Sequence, residues 1–130
     1  MKFRDSRGWT LIELLIVISL ISILATIGMV SYRNSVTAAK ESILKTDLFR
    51  LRDAIDQYYA DKGEYPASLD TLVSEGYLRK VPDDPFTRAA DWQTIPAEAT
   101  ATKPTAEPGV YDVKSASQDT ALDGSQYADW

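Results

Sequence analysis

Hydrophobic and polar positions divide the chain into three parts. Residues 1–8 are basic, residues 9–30 are largely apolar with Glu13 as their one charge, and residues 31–130 mix both types. An α-helix rises about 1.5 Å per residue, so a helix over 9–30 would span about 33 Å, close to the hydrocarbon core of a bilayer at about 30 Å. We therefore predict a membrane-length helix between a short N-terminal segment and a domain over 31–130.

The helix pattern continues past residue 30, because residues 31–61 contain neither proline nor glycine. We predict a single helix that ends near residue 61 with Gly63 as its C-cap. Apolar residues in its second half recur in steps of four and three, which places them on one face: Leu44, Leu48, Leu51, Ile55 and Tyr58. This stripe is expected to pack on a small domain. The exposed side is expected to carry two charged pairs at helical spacing, Glu41 with Lys45 and Asp47 with Arg50.

The remaining residues predict short elements. Ser68 is the expected N-cap of a helix over 68–74, and Gly76 is its stop. Two strands are expected because apolar residues cluster or alternate with polar ones there, at 92–95 and 110–113. The segment 96–108 has no apolar period and is interpreted as a flexible loop. The predicted fold class is α+β: a long N-terminal helix on a small domain with a short helix, a small antiparallel sheet and a C-terminal loop.

The amino-acid composition limits which partners and which kinds of active site the chain can have. The first eight residues carry three cations and one acid, so the rest of the chain carries a net charge of −7, which disfavours nucleic acid as a partner. The chain has no cysteine and no histidine, which excludes disulfides and the Ser-His-Asp arrangement. The adjacent acids Asp83 and Asp84 lie between prolines and are interpreted as turn formers. Tyr58, Tyr59 and Trp92 are interpreted as core residues.

Glu13 is the one charge in the membrane-length segment and needs a physical reason. A carboxylate costs about 2.5–3.5 kcal/mol at the centre of a membrane helix and less near its end. The helix dipole offsets about 0.3–1 kcal/mol in the first turn. A cut after Gly8 would free an amine on Trp9, and this amine on a neighbouring subunit could pair with Glu13 and set the register between subunits. Before such a cut, we expect the carboxylate to be unpaired.

The residues around Glu13 form a motif: a basic start, Gly8, a bulky residue, Thr10-Leu11-Ile12-Glu13-Leu14 and a long apolar helix. This motif resembles the class III leader of type IV pilins and pseudopilins. The resemblance implies cleavage after Gly8 by a prepilin peptidase, methylation of the new Trp9 amine and packing of the apolar helices into a filament. Two positions depart from the family pattern. Trp9 replaces the usual phenylalanine, and Gly28 is the only weak point where the family usually has a proline.

Later segments are similar to the G-type major pseudopilins of type II secretion. The similarity covers residues 56–66, 76–78 and 81–86, and an ending that runs from Tyr111 to Trp130. In that branch the C-terminal loop binds one Ca²⁺ through carboxylates and backbone carbonyls, which are donors that suit this ion. Carried over by position, the resemblance implies a calcium site from the carboxylates of Asp119, Asp123 and Asp129 and the carbonyls of Ala116 and Ala121. Without the resemblance, the spacing fits no EF-hand and indicates a solvated acidic loop.

The resemblance implies a structural subunit and not an enzyme. Residues 1–8 would be a leader, 9–30 a single-pass inner-membrane anchor and filament core, and 31–130 a periplasmic domain. The processed chain would polymerise to drive export of folded proteins across the outer membrane. Expected partners are further copies of the chain, minor pseudopilins, the prepilin peptidase and methyltransferase, and an inner-membrane assembly platform with its ATPase. Two alternatives stay open: a type IV pilin for adhesion, motility or DNA uptake, and a secreted soluble binding protein with an ordinary signal peptide cut beyond Ala25.

Overall fold

The computed structural model describes residue 8, residues 10–98 and residues 108–130. Trp9 and most of the predicted loop 96–108 lie outside the described residues. The elements, in chain order, are helix α1 (Leu11–Lys62), helix α2 (Leu69–Ser74), strand β1 (Gln93–Pro96), strand β2 (Val110–Lys114) and a short 3₁₀ helix, α3 (Tyr127–Asp129). A long helix followed by a small domain with two antiparallel strands confirms the predicted α+β class.

The chain divides into two compact units, Met1–Val36 and Thr37–Trp130. In the first unit, helix α1 runs through Gly28 without a break. The hydroxyls within its apolar stretch bond to the carbonyl four residues earlier, for example Ser22 to Ile18 at 2.8 Å and Thr26 to Ser22 at 2.8 Å. Because each hydroxyl is satisfied inside the helix, it can lie in an apolar environment at little cost.

The second unit holds the hydrophobic core. The predicted stripe of α1 is buried, with Leu44, Leu51 and Ile55 at 0% exposure. It packs in one cluster with side chains from the later elements: Leu69, Leu72, Trp92, Val110, Val113, Ala121 and Tyr127. Every member of this cluster lies between residues 44 and 127, so the segment Thr37–Trp130 contains a complete core of its own.

Two expectations about side-chain placement are wrong. Asp47 is 7% exposed and is therefore buried beside the stripe, not on the open side of α1. Tyr59 is 46% exposed and stacks on Tyr65 at the surface, with ring centroids 4.5 Å apart. Helical spacing shows which face of the helix a side chain lies on. Whether that face is buried depends on segments that are distant in the sequence.

The helix boundaries agree with the capping signals in the sequence. Helix α1 ends at Lys62, and Gly63 follows with a φ of 71° and an amide that donates to the carbonyl of Tyr59 at 2.8 Å. Ser68 is the N-cap of α2, and its side chain accepts a hydrogen bond from the amide of Thr71. Glycine suits position 63 because a left-handed conformation strains other residues.

The sheet consists of β1 and β2 paired antiparallel, with Thr94 opposite Val113 and an irregularity between Ile95 and Pro96. The predicted strand at 92–95 thus begins one residue later, and the strand at 110–113 extends by one residue. Gly109 precedes β2 at a close approach between backbones. A Cβ atom there would lie 2.5 Å from the carbonyl oxygen of Tyr65, which explains the glycine.

Asp84 organises the proline-flanked loop before the sheet. Its side chain is completely buried, and its Oδ1 accepts hydrogen bonds from the amides of Phe86 at 2.8 Å and Thr87 at 3.4 Å. Its Oδ2 accepts a hydrogen bond from the hydroxyl of Ser115, directly after β2. The predicted turn-forming role is therefore confirmed, and the same carboxylate also fastens the turn to the sheet.

Candidate functional site

The start of α1 is built by a reciprocal cap between Thr10 and Glu13. The hydroxyl of Thr10 accepts a hydrogen bond from the amide of Glu13 at 3.3 Å, and Oε2 of Glu13 accepts one from the amide of Thr10 at 3.2 Å. The carbonyl of Thr10 also accepts the amide of Leu14 at 3.1 Å. This is a capping box, in which two amides that a helix start leaves without partners are satisfied by side chains.

The capping bond joins the Glu13 carboxylate to a backbone amide and not to a cation, so the expectation that Glu13 has no charged partner before processing stays a prediction. The capping bond uses one oxygen of its carboxylate, and an ionised carboxylate has roughly four acceptor positions. The donating amide belongs to Thr10, which stays in the chain when the bond after Gly8 is cut. The cap thus survives such a cut and orients the carboxylate, while acceptor positions remain for a cation.

Gly8 is exposed and has no steric reason to be glycine. A Cβ atom added to Gly8 would meet no atom of the described residues within 4 Å, and the φ of Gly8 lies outside the left-handed region. Fold requirements therefore do not explain this residue, in contrast to Gly109. Trp9, the other predicted processing residue, lies outside the part of the chain that the structure describes.

The apolar part of α1 presents its side chains outward. Leu11, Leu24 and Ile27 are among a long series of apolar residues that are more than half exposed. By length and composition, this helix can cross a membrane. A stretch of this size needs an apolar surrounding, because exposing it to water is unfavourable. It therefore fits a single membrane anchor.

The C-terminal loop, residues 116–130, contains the residues predicted to bind calcium. It folds back on itself through a bridge between Thr120 and Gln126 and a bond from the amide of Tyr127 to the carbonyl of Asp119 at 3.1 Å. At the tip, Gly124 has a φ of 88° and its amide donates to the carbonyl of Ala121 at 3.0 Å. The tip is thus a closed turn.

Asp123 lies at this turn and is engaged by Ser125. Its Oδ1 accepts the amide of Ser125 at 2.9 Å and the hydroxyl at 2.6 Å. These hydrogen bonds lower the pKa of the exposed Asp123 carboxyl, and the nearby Lys45 ammonium lowers it further. The carboxylate is therefore stabilised in its charged form by groups of the protein.

The same loop is attached to α1 by Glu41. Its Oε1 accepts the amide of Leu122 at 2.8 Å and the hydroxyl of Tyr127 at 2.8 Å. Tyr127 is 1% exposed and stacks on Phe86 with ring centroids 3.9 Å apart. Burial is the main cause that raises the pKa of the Tyr127 hydroxyl, and the hydrogen bond to Glu41 raises it further. The hydroxyl therefore stays protonated and donates to Glu41. The expectation that Glu41 belongs to an exposed helix pair is wrong.

The calcium site stays a prediction. Two of its five donors, Asp123 and the carbonyl of Ala121, already accept hydrogen bonds within the turn. Asp119 and Asp129 are exposed, and Ala116 is half-buried. Among the described residues, no group of three acidic side chains lies close enough together to hold a metal ion. The donors are of the right chemical class, and the hydrogen bonds of the loop compete for some of them.

Comparison with known proteins agrees with the geometry at the N-terminal end of the chain. Residues 3–29 match the model of the prokaryotic N-terminal methylation motif. The chain is 30% identical to type II secretion system core protein G of Pseudomonas aeruginosa, over 66% of this chain and 72% of that protein. The corresponding protein of Klebsiella pneumoniae is also 30% identical, over 68% and 74% of the two chains. The chain belongs to the family of type II secretion system core protein G. No solved structure matches it significantly.

In this member of the core protein G family, the structure describes two candidate sites, the capped start of α1 and the folded C-terminal loop. Sequence reasoning identified Glu13 and the acidic loop but missed Glu41 and Arg52, which hold that loop from α1. Their partners within that loop lie more than 70 residues away in the chain. The Thr10-x-x-Glu13 spacing, in contrast, is a local capping signal that the sequence contains.

Proposed function

We propose that this chain is the major structural subunit of a type II secretion pseudopilus. A prepilin peptidase removes residues 1–8, the Trp9 amine is methylated, and the processed subunits polymerise to drive export of folded proteins across the outer membrane. Family membership supports this, as does the capped carboxylate at the start of an outward-facing apolar helix. The position of the capped Glu13 carboxylate at the start of the apolar helix is the main support for this proposal.

The proposed role of Glu13 is to pair with the Trp9 amine of a neighbouring subunit. The capping bond holds the side chain at the first turn of α1, at a fixed height along the helix axis. In a low-dielectric filament core, two opposite charges attract strongly, and an unpaired charge is costly. Subunits stacked at the wrong register would leave both charges unpaired, so the pair would select one axial offset.

The proposed filament core consists of the exposed apolar residues of α1 in the first unit. These side chains are buried by lipid before assembly and by neighbouring helices afterwards. The short basic segment of residues 1–8 favours a cytoplasmic start, with the domain that follows the helix in the periplasm. Proposed partners are minor pseudopilins, the peptidase and methyltransferase, and an assembly platform whose ATPase supplies the energy.

Substitutions at Glu13 and Thr10 separate charge pairing from helix capping. Glu13→Gln keeps an acceptor suited to the capping box but removes the charge, whereas Glu13→Ala removes both. Thr10→Ala removes the capping hydroxyl and keeps the charge. In cells that express the secretion system, filaments are sheared, quantified by immunoblot and compared with membrane-bound, cleaved subunit.

We expect both Glu13 variants to insert and to be cleaved, yet to assemble at least about tenfold less, because one buried charge loses its partner. Thr10→Ala should assemble to within a few-fold of the unaltered chain. Normal filaments from Glu13→Gln would contradict charge pairing. Failure of Thr10→Ala alone would instead show that the cap is the essential feature.

A further inference from the structure

The C-terminal loop and the second half of α1 meet at a cavity of about 280 Å³ lined by two cations and one acid. Lys45 and Arg52 come from α1, and Asp123 comes from the loop. The Lys45 ammonium lies 4.6 Å from the centroid of the Trp130 ring, a cation–π distance. Positive charge is therefore already present where the loop carboxylate faces the helix.

Arg52 fastens the end of the loop and the sheet at once. Its Nη2 donates to the carbonyl oxygens of Trp130 at 2.7 Å and Val113 at 3.0 Å, and its Nε donates to Asp112 at 2.7 Å. The indole of Trp130 in turn donates to the hydroxyl of Ser125 at 2.7 Å. The loop is thus held at its end by a guanidinium that is only partly exposed.

Glu41 fastens the other side of the loop through the Leu122 amide and the buried Tyr127 hydroxyl. Glu41, Lys45 and Arg52 therefore contact the loop from successive positions of one helix. Carboxylate, ammonium and guanidinium together supply both donors and acceptors to the loop. A divalent cation at Asp123 would bind beside the cavity that Lys45 and Arg52 line, and their positive charges would repel it.

We propose that these three side chains of α1 form a clamp that fixes the C-terminal loop without a bound divalent cation. In this chain, the clamp replaces the calcium ion that the family resemblance implies. The proposal concerns the fold of the second unit and holds whether or not the chain forms a pseudopilus. It rests on the contacts that Glu41, Lys45 and Arg52 make with loop residues.

Hydrogen exchange of the full-length chain in detergent, followed by mass spectrometry, tests the clamp. Peptides from residues 116–130 are compared in EDTA and in about 5 mM Ca²⁺, which exceeds the weakest Kd of extracellular calcium modules. Bound calcium is measured on the same samples after equilibrium dialysis. We expect identical exchange in both buffers and no stoichiometric calcium. One bound ion per chain, or slower exchange of the loop in Ca²⁺, would overturn the proposal.

Glu41→Ala tests the helix side, with Glu64→Ala at an exposed glutamate as the control. Glu41→Ala should speed exchange at residues 120–127 by about tenfold or more, since hydrogen bonds to a charged group are lost. Peptides over 44–58 report whether the core itself opens. If they do, Tyr127→Phe removes only the hydroxyl and repeats the test with the core intact. Unchanged loop exchange in either variant with an intact core would also overturn the clamp.

Discussion

Asp84→Ala should be among the most destabilising single substitutions in the second unit. The carboxylate is completely buried and accepts bonds from two amides and one hydroxyl. Alanine would leave the buried Ser115 hydroxyl and the part-buried amides of Phe86 and Thr87 without these acceptors. The donors belong to the loop itself and to Ser115 beyond the sheet, so both the turn and its attachment would be lost.

The size of the effect follows from the hydrogen bonds. A bond to a charged group contributes about 1.5–3 kcal/mol, and the contacts with the Phe86 amide and the Ser115 hydroxyl are the two short ones. Their loss predicts a decrease of about 3–6 kcal/mol in the free energy of unfolding. Since domains of this size have about 5–15 kcal/mol in total, this loss would be a large share of the stability. Asp84→Asn keeps the shape and one acceptor, and should cost about 1–3 kcal/mol.

Urea unfolding of the fragment Thr37–Trp130, which contains its own core, measures these differences by circular dichroism. Asp83→Ala is the matched control, because Asp83 is the adjacent acid and is exposed. Its effect should stay within about 0.5 kcal/mol. A loss below about 1 kcal/mol for Asp84→Ala, or equal losses for the two alanine variants, would contradict the stabilising role of the Asp84 hydrogen bonds.

Two further predictions use the same assay. Burial raises the pKa of the Asp47 carboxyl above its ordinary 3.8, with Arg50 opposing the shift and Asp84 adding to it, so ionisation of Asp47 destabilises the folded state. Asp47→Asn should therefore raise the free energy of unfolding at neutral pH. The gain should vanish below pH 3.8, because the Asp47 carboxyl is then protonated in both the folded and the unfolded chain. A gain that does not depend on pH would contradict this. Gly109→Ala should cost about 1–3 kcal/mol because its Cβ would meet the backbone of Tyr65; a change within about 0.5 kcal/mol would contradict the close approach.

Local patterns in the sequence predicted the local structure. The stripe from Leu44 to Tyr58 was predictable because helical periodicity reflects one buried face, and that face forms the core. Ser68 and Gly63 were predictable because helix ends leave amides and carbonyls that only certain residues satisfy. The predicted burial of Trp92 is confirmed at 7% exposure.

Contacts between distant residues were not predictable in this way. Asp84 bonds to Ser115 across 31 residues, and Glu41 to Tyr127 across 86. Such pairs produce no periodic pattern in the sequence. Taken alone, each residue has the pattern of an ordinary surface acid or of a core aromatic residue. The fold alone determines that the loop returns to α1, so the clamp became visible only from the structure.

The most direct test of the proposed function is the mass of the N-terminal peptide of the chain recovered from sheared filaments. Cells that express the secretion system supply the filaments, and the membrane fraction supplies the unassembled chain for comparison. We predict that filament subunits begin at a methylated Trp9, so that Thr10 and Glu13 remain in the processed chain. A chain absent from filaments, or one that begins beyond Ala25, would contradict it.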